Sequence, residues 1–120
     1  MAFRLKRVYD EPGPEDGLRV LVDRLWPRGL SKSQSRVDLW LKEIAPSPEL
    51  RKKFCHRLEK WTEFRRLYFE ELRQKTELVN ELRKKAQEGP ITLLFAARDK
   101  EKNNAVVLLE FLEGSSEPKA

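Results

Sequence analysis

Apolar side chains at Trp61, Phe64, Tyr68, Leu72, Val79, Leu82 and Ala86 recur at three-, four- and seven-residue intervals. That spacing places them along one face of a helix. Gly89-Pro90 stops the pattern, and Ile91-Thr92-Leu93-Leu94-Phe95 follows at once as an apolar run. A short run of this kind directly after a helix stop reads as a buried strand, and such a strand needs other layers to cover it. The chain is thereby constrained to an α/β layering. The stripe predicts one long helix from Trp61 to about Ala86. Its other faces carry Arg65, Arg66, Arg73, Glu70, Glu77 and Glu81 in mixed sign, as a solvated surface does.

The remaining segments fit around that pair. Phe3 and Leu5 alternate with Arg4 and Lys6, which predicts a half-exposed strand at a sheet edge. Residues 10–17 hold two Pro and two Gly and form a loop. Leu18-Arg19-Val20-Leu21-Val22-Asp23 is short and mostly apolar, a more central strand. The loop between these two strands is too short for an ordinary helical crossover, so their relative direction stays open. Residues 24–36, with Pro27, Gly29 and three Ser, read as a long ordered loop. Residues 37–44 fit two patterns. Ser35 with Asp38 resembles a capping box, while Val37, Leu39 and Leu41 alternate as in a strand, and the strand is preferred. Ser47-Pro48-Glu49 starts a helix that should reach His56 or Arg57. Ala96-Ala97-Arg98 leads to Asp99, the expected cap of a last helix ending near Leu112. Together these predict a single small layered α/β domain over residues 1–113, a mostly parallel sheet of about four strands flanked by helices. Residues 114–120 form a small, polar tail expected to be mobile.

Composition narrows the function classes. A hydrophobic share of 39%, with three Trp and six Phe, excludes a chain dominated by disorder. The 25 basic and 20 acidic residues are interleaved, so a net charge of +5 permits a phosphate-rich partner without requiring one. One Cys cannot form an internal disulfide, and one Cys with one His cannot build a structural zinc site within the chain. Cys55 and His56 are adjacent, so on a helix they point about 100° apart and do not form a working thiol–imidazole pair. The amino terminus does not read as a signal peptide, and no apolar run approaches the roughly 18 residues that span a bilayer. A cytoplasmic protein without a membrane association is expected. Oligomeric state is not readable.

In parallel α/β folds ligands meet the carboxyl ends of strands. Two segments leave such ends: Asp23-Arg24-Leu25-Trp26-Pro27-Arg28-Gly29, and Ala96-Ala97-Arg98-Asp99 with Asn103-Asn104 beyond it. Arg24 and Arg28 offer forked donors suited to carboxylate or phosphate. The start of the last helix adds free N–H groups and a positive dipole end. Trp26 can stack on a ring, Asn103 and Asn104 can contact a ligand, and Asp23 and Asp99 are the candidates for proton transfer. Each also has a structural reading: Asp23 and Arg24 paired with each other or with Asp38, Trp26 capping the sheet, Asp99 as a helix cap, and the two Asn satisfying helix-end donors. No Gly-rich phosphate loop, serine elbow or metal-ligand spacing occurs, so no metal or cofactor is expected.

The run Arg19-Val20-Leu21-Val22-Asp23-Arg24-Leu25-Trp26-Pro27-Arg28-Gly29 resembles the hallmark of YeaO-like proteins, in the family named domain of unknown function 488. Asp38-Leu39-Trp40-Leu41-Lys42-Glu43-Ile44-Ala45-Pro46-Ser47, Trp61-Thr62-Glu63-Phe64, and Ile91 to Asp99 with Asn103-Asn104-Ala105 support it in order along nearly the whole chain. The resemblance implies a small bacterial or archaeal cytoplasmic α/β protein with no established activity. The sequence departs from the family at Cys55-His56-Arg57-Leu58, where a Gly before the His and then Asp and Pro would be expected. More distant relatives carry Cys-His-Arg at the start of the last helix, where this chain has Asn103-Asn104-Ala105.

Three function classes follow. The first is a binding or catalytic site for a small phosphorylated or carboxylated ligand around Arg24, Arg28 and the last helix. The second is a nucleic-acid-binding module using the basic stretch of residues 51–66, which includes Lys52, Lys53, Arg57, Lys60, Arg65 and Arg66. The third is a structural or protein-interaction domain with no ligand.

Overall fold

The computed structural model describes residues 3–54 and 58–114. The expectations on Cys55, His56 and Arg57, and on the tail beyond Gly114, lie outside them. Strands β1 (Phe3–Arg7), β2 (Leu18–Leu21), β3 (Leu39–Trp40) and β4 (Ile91–Phe95) form one sheet in the order β1-β4-β2-β3. Every pairing is parallel. β4 is buried along its whole length because it lies between β1 and β2, with Phe3 and Leu18 both in register with Ile91. The open question about the first two strands is thereby answered: they run parallel, on opposite sides of β4. The loop between them returns along the sheet without a helix, apart from a 3-10 turn at Pro14–Asp16.

Strand alternation divides the core. Val20, Val22, Ile91, Leu93 and Phe95 pack with Tyr68, Phe69, Leu72, Val79, Leu82, Leu108 and Leu112. These come from α3 (Trp61–Arg73), α4 (Thr76–Glu88) and α5 (Asn104–Leu112). α2 (Pro48–Phe54) adds Leu50 and Phe54 to the same cluster. The second cluster holds Leu21, Leu94 and Val8, covered by Trp26, Leu30 and Val37 from the segment between β2 and β3 and by Trp40 of β3, rather than by a long helix.

The structure corrects several sequence expectations. The long helix breaks at Gln74 and Lys75, giving α3 and α4. The break falls in the seven-residue interval between Leu72 and Val79, where Lys75 reaches back to donate to the Ala45 carbonyl at 2.9 Å. Within residues 24–36 a short helix, α1 (Lys32–Ser35), forms. Its capping box is Ser31 with Gln34, not Ser35 with Asp38. Asp38 instead accepts from the Arg19 amide at 2.9 Å. The strand preferred for residues 37–44 shrinks to Leu39–Trp40, followed by a 3-10 turn at Lys42–Ile44. α5 is capped by Asn103, not Asp99, because the chain makes a further turn before the helix begins.

The amino ends of the strands are fastened by a buried ion network. The Asp16 carboxylate accepts from Arg19 at 2.6 Å, from Lys6 at 3.1 Å and from the Gly13 amide at 3.0 Å. Arg19 also donates to the Arg36 and Ser35 carbonyls. Among the described residues no helix is long and apolar enough to cross a membrane.

Candidate functional site

β2 and β4 end side by side, with Leu21 opposite Leu94 and the Val22 amide donating to the Leu94 carbonyl at 3.1 Å. Both following segments therefore emerge at one edge of the sheet. The Asp23 carboxylate joins them, accepting from the Ala96 amide at 2.9 Å through one oxygen and from Asn104 Nδ2 at 3.3 Å through the other. Asn104 Nδ2 also donates to the Val22 carbonyl at 3.1 Å. Trp40 Nε1 donates to the Asp23 carbonyl at 2.8 Å and holds the start of the loop from the β3 side.

Above these ends lies a cleft of about 510 Å³. Asp23, Arg24, Trp26, Arg28, Asn103 and Asn104 all line it, so the structure gathers six of the seven residues singled out in the sequence. Asp99 is the exception. It is exposed, and its Oδ1 accepts from the amides of Lys102 and Glu101 at 2.9 Å each. Those two bonds hold its carboxyl below the ordinary value and shape the turn into α5. It is not placed to exchange a proton with a ligand in the cleft.

The six lining residues differ in what they have free. Arg24 donates to the Pro46 and Ala45 carbonyls at 3.3 and 3.2 Å, and its remaining nitrogen lies 3.6 Å from Glu43. Its first effect is to hold the Ala45-Pro46 wall, which Lys75 grips from the other side. Trp26 donates to the Leu30 carbonyl at 2.7 Å and meets Trp40 edge to face at 5.3 Å. It covers the sheet as well as lining the cleft. Asn103 accepts from the Val106 amide and donates to the Asp99 carbonyl, so each end of its amide holds one structural bond. Arg28 is exposed, and its guanidinium makes no hydrogen bond or ion pair among the described residues. Only its carbonyl is used, accepting from the Tyr9 hydroxyl at 2.9 Å.

Burial raises the Asp23 carboxyl above its ordinary value, although the Ala96 and Asn104 hydrogen bonds and the charge of Arg51 pull it back. A carboxyl so placed takes a proton more readily than an exposed one. Beneath it, fully buried Tyr68 donates to the Ile44 carbonyl at 2.7 Å. Burial first, then the charges of Asp23 and Glu71, push its phenol well above the usual range, so it stays neutral.

The sequence reading did not place Tyr9, Arg51, Phe54, Trp61, Phe64 or Lys102 at this site. Arg51 belonged to the basic stretch and Trp61 to the apolar stripe, and neither carries a local mark of facing a cleft. Their signal is positional: one lies in α2 and the other opens α3, and it takes the fold to set both side chains against the strand ends. Among the described residues no group of three or more His, Cys, Asp or Glu could hold a metal ion.

Comparison with known proteins returns a family model described as "Inactive DUF488-N3 subclade", DUF488-N3i, matching residues 2–120. The chain is 44% identical over 112 residues to "Uncharacterized protein YeaO" of Escherichia coli strain K12, covering 93% of this chain and 97% of that protein. It is 43% identical over 111 residues to "Uncharacterized protein Rv3073c" of Mycobacterium tuberculosis strain H37Rv, covering 92% of this chain and 93% of that one. No solved structure gives a significant match.

Proposed function

The chain belongs to the DUF488-N3i family, the inactive DUF488-N3 subclade, and on that footing we propose that its cleft binds a small phosphate- or carboxylate-bearing ligand without transforming it. One observation carries the reading: the described lining residues include Arg24, Arg28, Arg51 and Lys102 against one carboxylate, Asp23. A surplus of cations in a partly apolar cleft attracts an anion, and forked guanidiniums suit its oxygens. The start of α5 adds the positive end of its dipole.

Binding is favoured over catalysis by the description of the matching family model as an inactive subclade. The described lining residues include no Ser, Thr, Cys or His, while Cys55 and His56 lie outside the described residues. Asp23 is the one carboxylate among the described lining residues, and both of its oxygens already accept hydrogen bonds that tie the strand ends together.

A nucleic-acid surface along residues 51–66 has weaker support. Arg51 turns into the cleft, Arg65 pairs with Glu110 at 2.7 Å, and Arg66 lies 3.4 Å from Glu70. A purely structural role is also less well supported, because the exposed large hydrophobics, Tyr9 and Leu25, both lie at the cleft instead of forming a separate apolar patch.

The test is a thermal-shift screen with inorganic phosphate, sugar phosphates and organic acids. Stabilisation by at least one anion is expected, and Arg28→Ala should abolish it. If no anion stabilises the protein, or if Arg28→Ala responds as the wild type does, the reading is wrong.

A further inference from the structure

We infer that the ligand joins a planar aromatic ring to its anionic group, a deepening that rests on the anion-binding reading above. The cleft volume of about 510 Å³ lies within the range of sites that enclose whole organic ligands. A bare phosphate or a two-carbon acid would leave most of it as unfilled apolar wall.

The apolar wall is aromatic. Trp61 and Phe64 stack at 5.5 Å with 28° between their planes, and Phe54 meets Phe64 edge to face at 6.1 Å. Trp61 and Phe64 are only half-buried, so ring surface is left over after they have packed on one another. All three line the cleft. Flat surfaces of this kind take a flat guest, because offset stacking adds to the gain from burial.

Ring and charge subsites adjoin through the geometry of α2. Arg51 and Phe54 stand three residues apart, which places them on one helix face, and both reach the lining. A guest stacked on the aromatic wall therefore has a guanidinium beside it, with Arg28 and Lys102 elsewhere in the same cleft. Tyr9 is 41% and Leu25 61% exposed, and both belong to the same lining. An amphipathic anion would cover apolar surface there that a small hydrophilic one would leave wet. An aryl phosphate and a nucleotide share this chemistry.

The experiment is calorimetric titration of the whole chain with phenyl phosphate, adenosine 5′-monophosphate, ribose 5-phosphate and adenosine. At least one of the two ring-bearing phosphates should bind roughly tenfold or more tightly than ribose 5-phosphate. Which of the two binds better separates a simple aryl guest from a nucleotide. Trp61→Leu should shrink that margin, while Arg28→Ala should weaken ring-bearing phosphates and ribose 5-phosphate alike. Ribose 5-phosphate binding as tightly as both ring-bearing phosphates would overturn the ring and leave the anion reading intact. Adenosine binding as tightly as its monophosphate would overturn the anion reading instead. If none of the four binds, the ring inference fails, while the anion screen with carboxylates still decides the broader reading. The wild-type comparison needs no substitution, so it stands even if Trp61→Leu does not fold.

Discussion

Asn104 Nδ2 lies 3.1 Å from the Val22 carbonyl oxygen and 3.3 Å from Asp23 Oδ1, so one side chain in the first turn of α5 closes the carboxyl end of β2. The second Asp23 oxygen takes the Ala96 amide at the end of β4. The floor of the cleft is thus one hydrogen-bonded unit made from two strand ends and a helix start. Its rigidity comes from backbone groups that strand and helix ends leave without partners.

Asp23 has a raised carboxyl, which fixes the sign of its contribution with pH. The folded state binds this proton more tightly than the unfolded chain does. The stability contributed is full below the ordinary unfolded value of 3.8 and is lost as pH rises through the higher folded value. Melting wild type and Asp23→Asn side by side should show the gap between them change as pH rises from 3.8 through the higher folded value and level off above it. Parallel curves throughout would contradict the raised carboxyl.

Asp16 behaves in the opposite sense. It is buried, yet Gly13, Lys6 and Arg19 together hold its carboxyl below 3.8. Its stabilisation is present at neutral pH and is lost only as pH falls through that lowered value. Asp16→Ala leaves Arg19 buried without its carboxylate, which should cost about 3 kcal/mol in denaturant unfolding at neutral pH. A loss below about 1 kcal/mol would show that the two carbonyls also bound by Arg19 suffice alone.

Gly17 and Gly29 separate crowding from backbone strain. Both have positive φ, 67° and 78°. A Cβ on Gly17 would stand 2.2 Å from the Pro90 carbonyl oxygen, which accepts from the Leu18 amide, whereas one on Gly29 meets nothing within 4 Å. Gly29→Ala should cost about 1 kcal/mol from its left-handed backbone alone. Gly17→Ala should cost clearly more, about 3 kcal/mol or beyond, because the register of β2 on β4 must shift. Equal losses in equilibrium unfolding would refute the close approach.

Arg24 and Arg28 should part company in the same way. Arg28→Ala removes an exposed side chain with no described partner and should change the melting free energy by less than about 0.5 kcal/mol while removing anion binding. Arg24→Ala strips the Pro46 carbonyl of its Arg24 donor, leaves the Ala45 carbonyl with Lys75 alone, and should cost about 1–2 kcal/mol with no ligand present. Urea unfolding of both variants, with and without phosphate, reads the two effects separately.

Much of this was legible because local patterns and the fold agree. Ser47 accepts from the Leu50 amide at 3.1 Å, as its place before Pro48 predicts, and Ile91–Phe95 is buried throughout. The convergence of the Asp23–Arg28 loop with Asn104 followed from one rule about parallel strand ends. Other features were not legible. The stripe from Trp61 to Ala86 keeps its spacing across Gln74 and Lys75, so periodicity alone cannot see the turn. At the break Lys75 donates to Ala45 thirty residues away, a tertiary contact that no local pattern reveals. The same limit hid Arg51 and Trp61, whose role depends on where α2 and α3 sit over the sheet. Arg24 lines the cleft, and that its guanidinium also holds the Ala45 and Pro46 carbonyls is not written in its neighbours.

The most direct test of the cleft is a proton–nitrogen correlation spectrum titrated with an anion found to stabilise the protein. Saturable shifts should concentrate on the amides of Asp23, Arg24, Leu25, Trp26 and Arg28, of Ala96 and Ala97, and of Lys102, Asn103 and Asn104. Shifts confined to residues 52–66, or absent at saturation, would contradict the assignment of function to the carboxyl ends of β2 and β4.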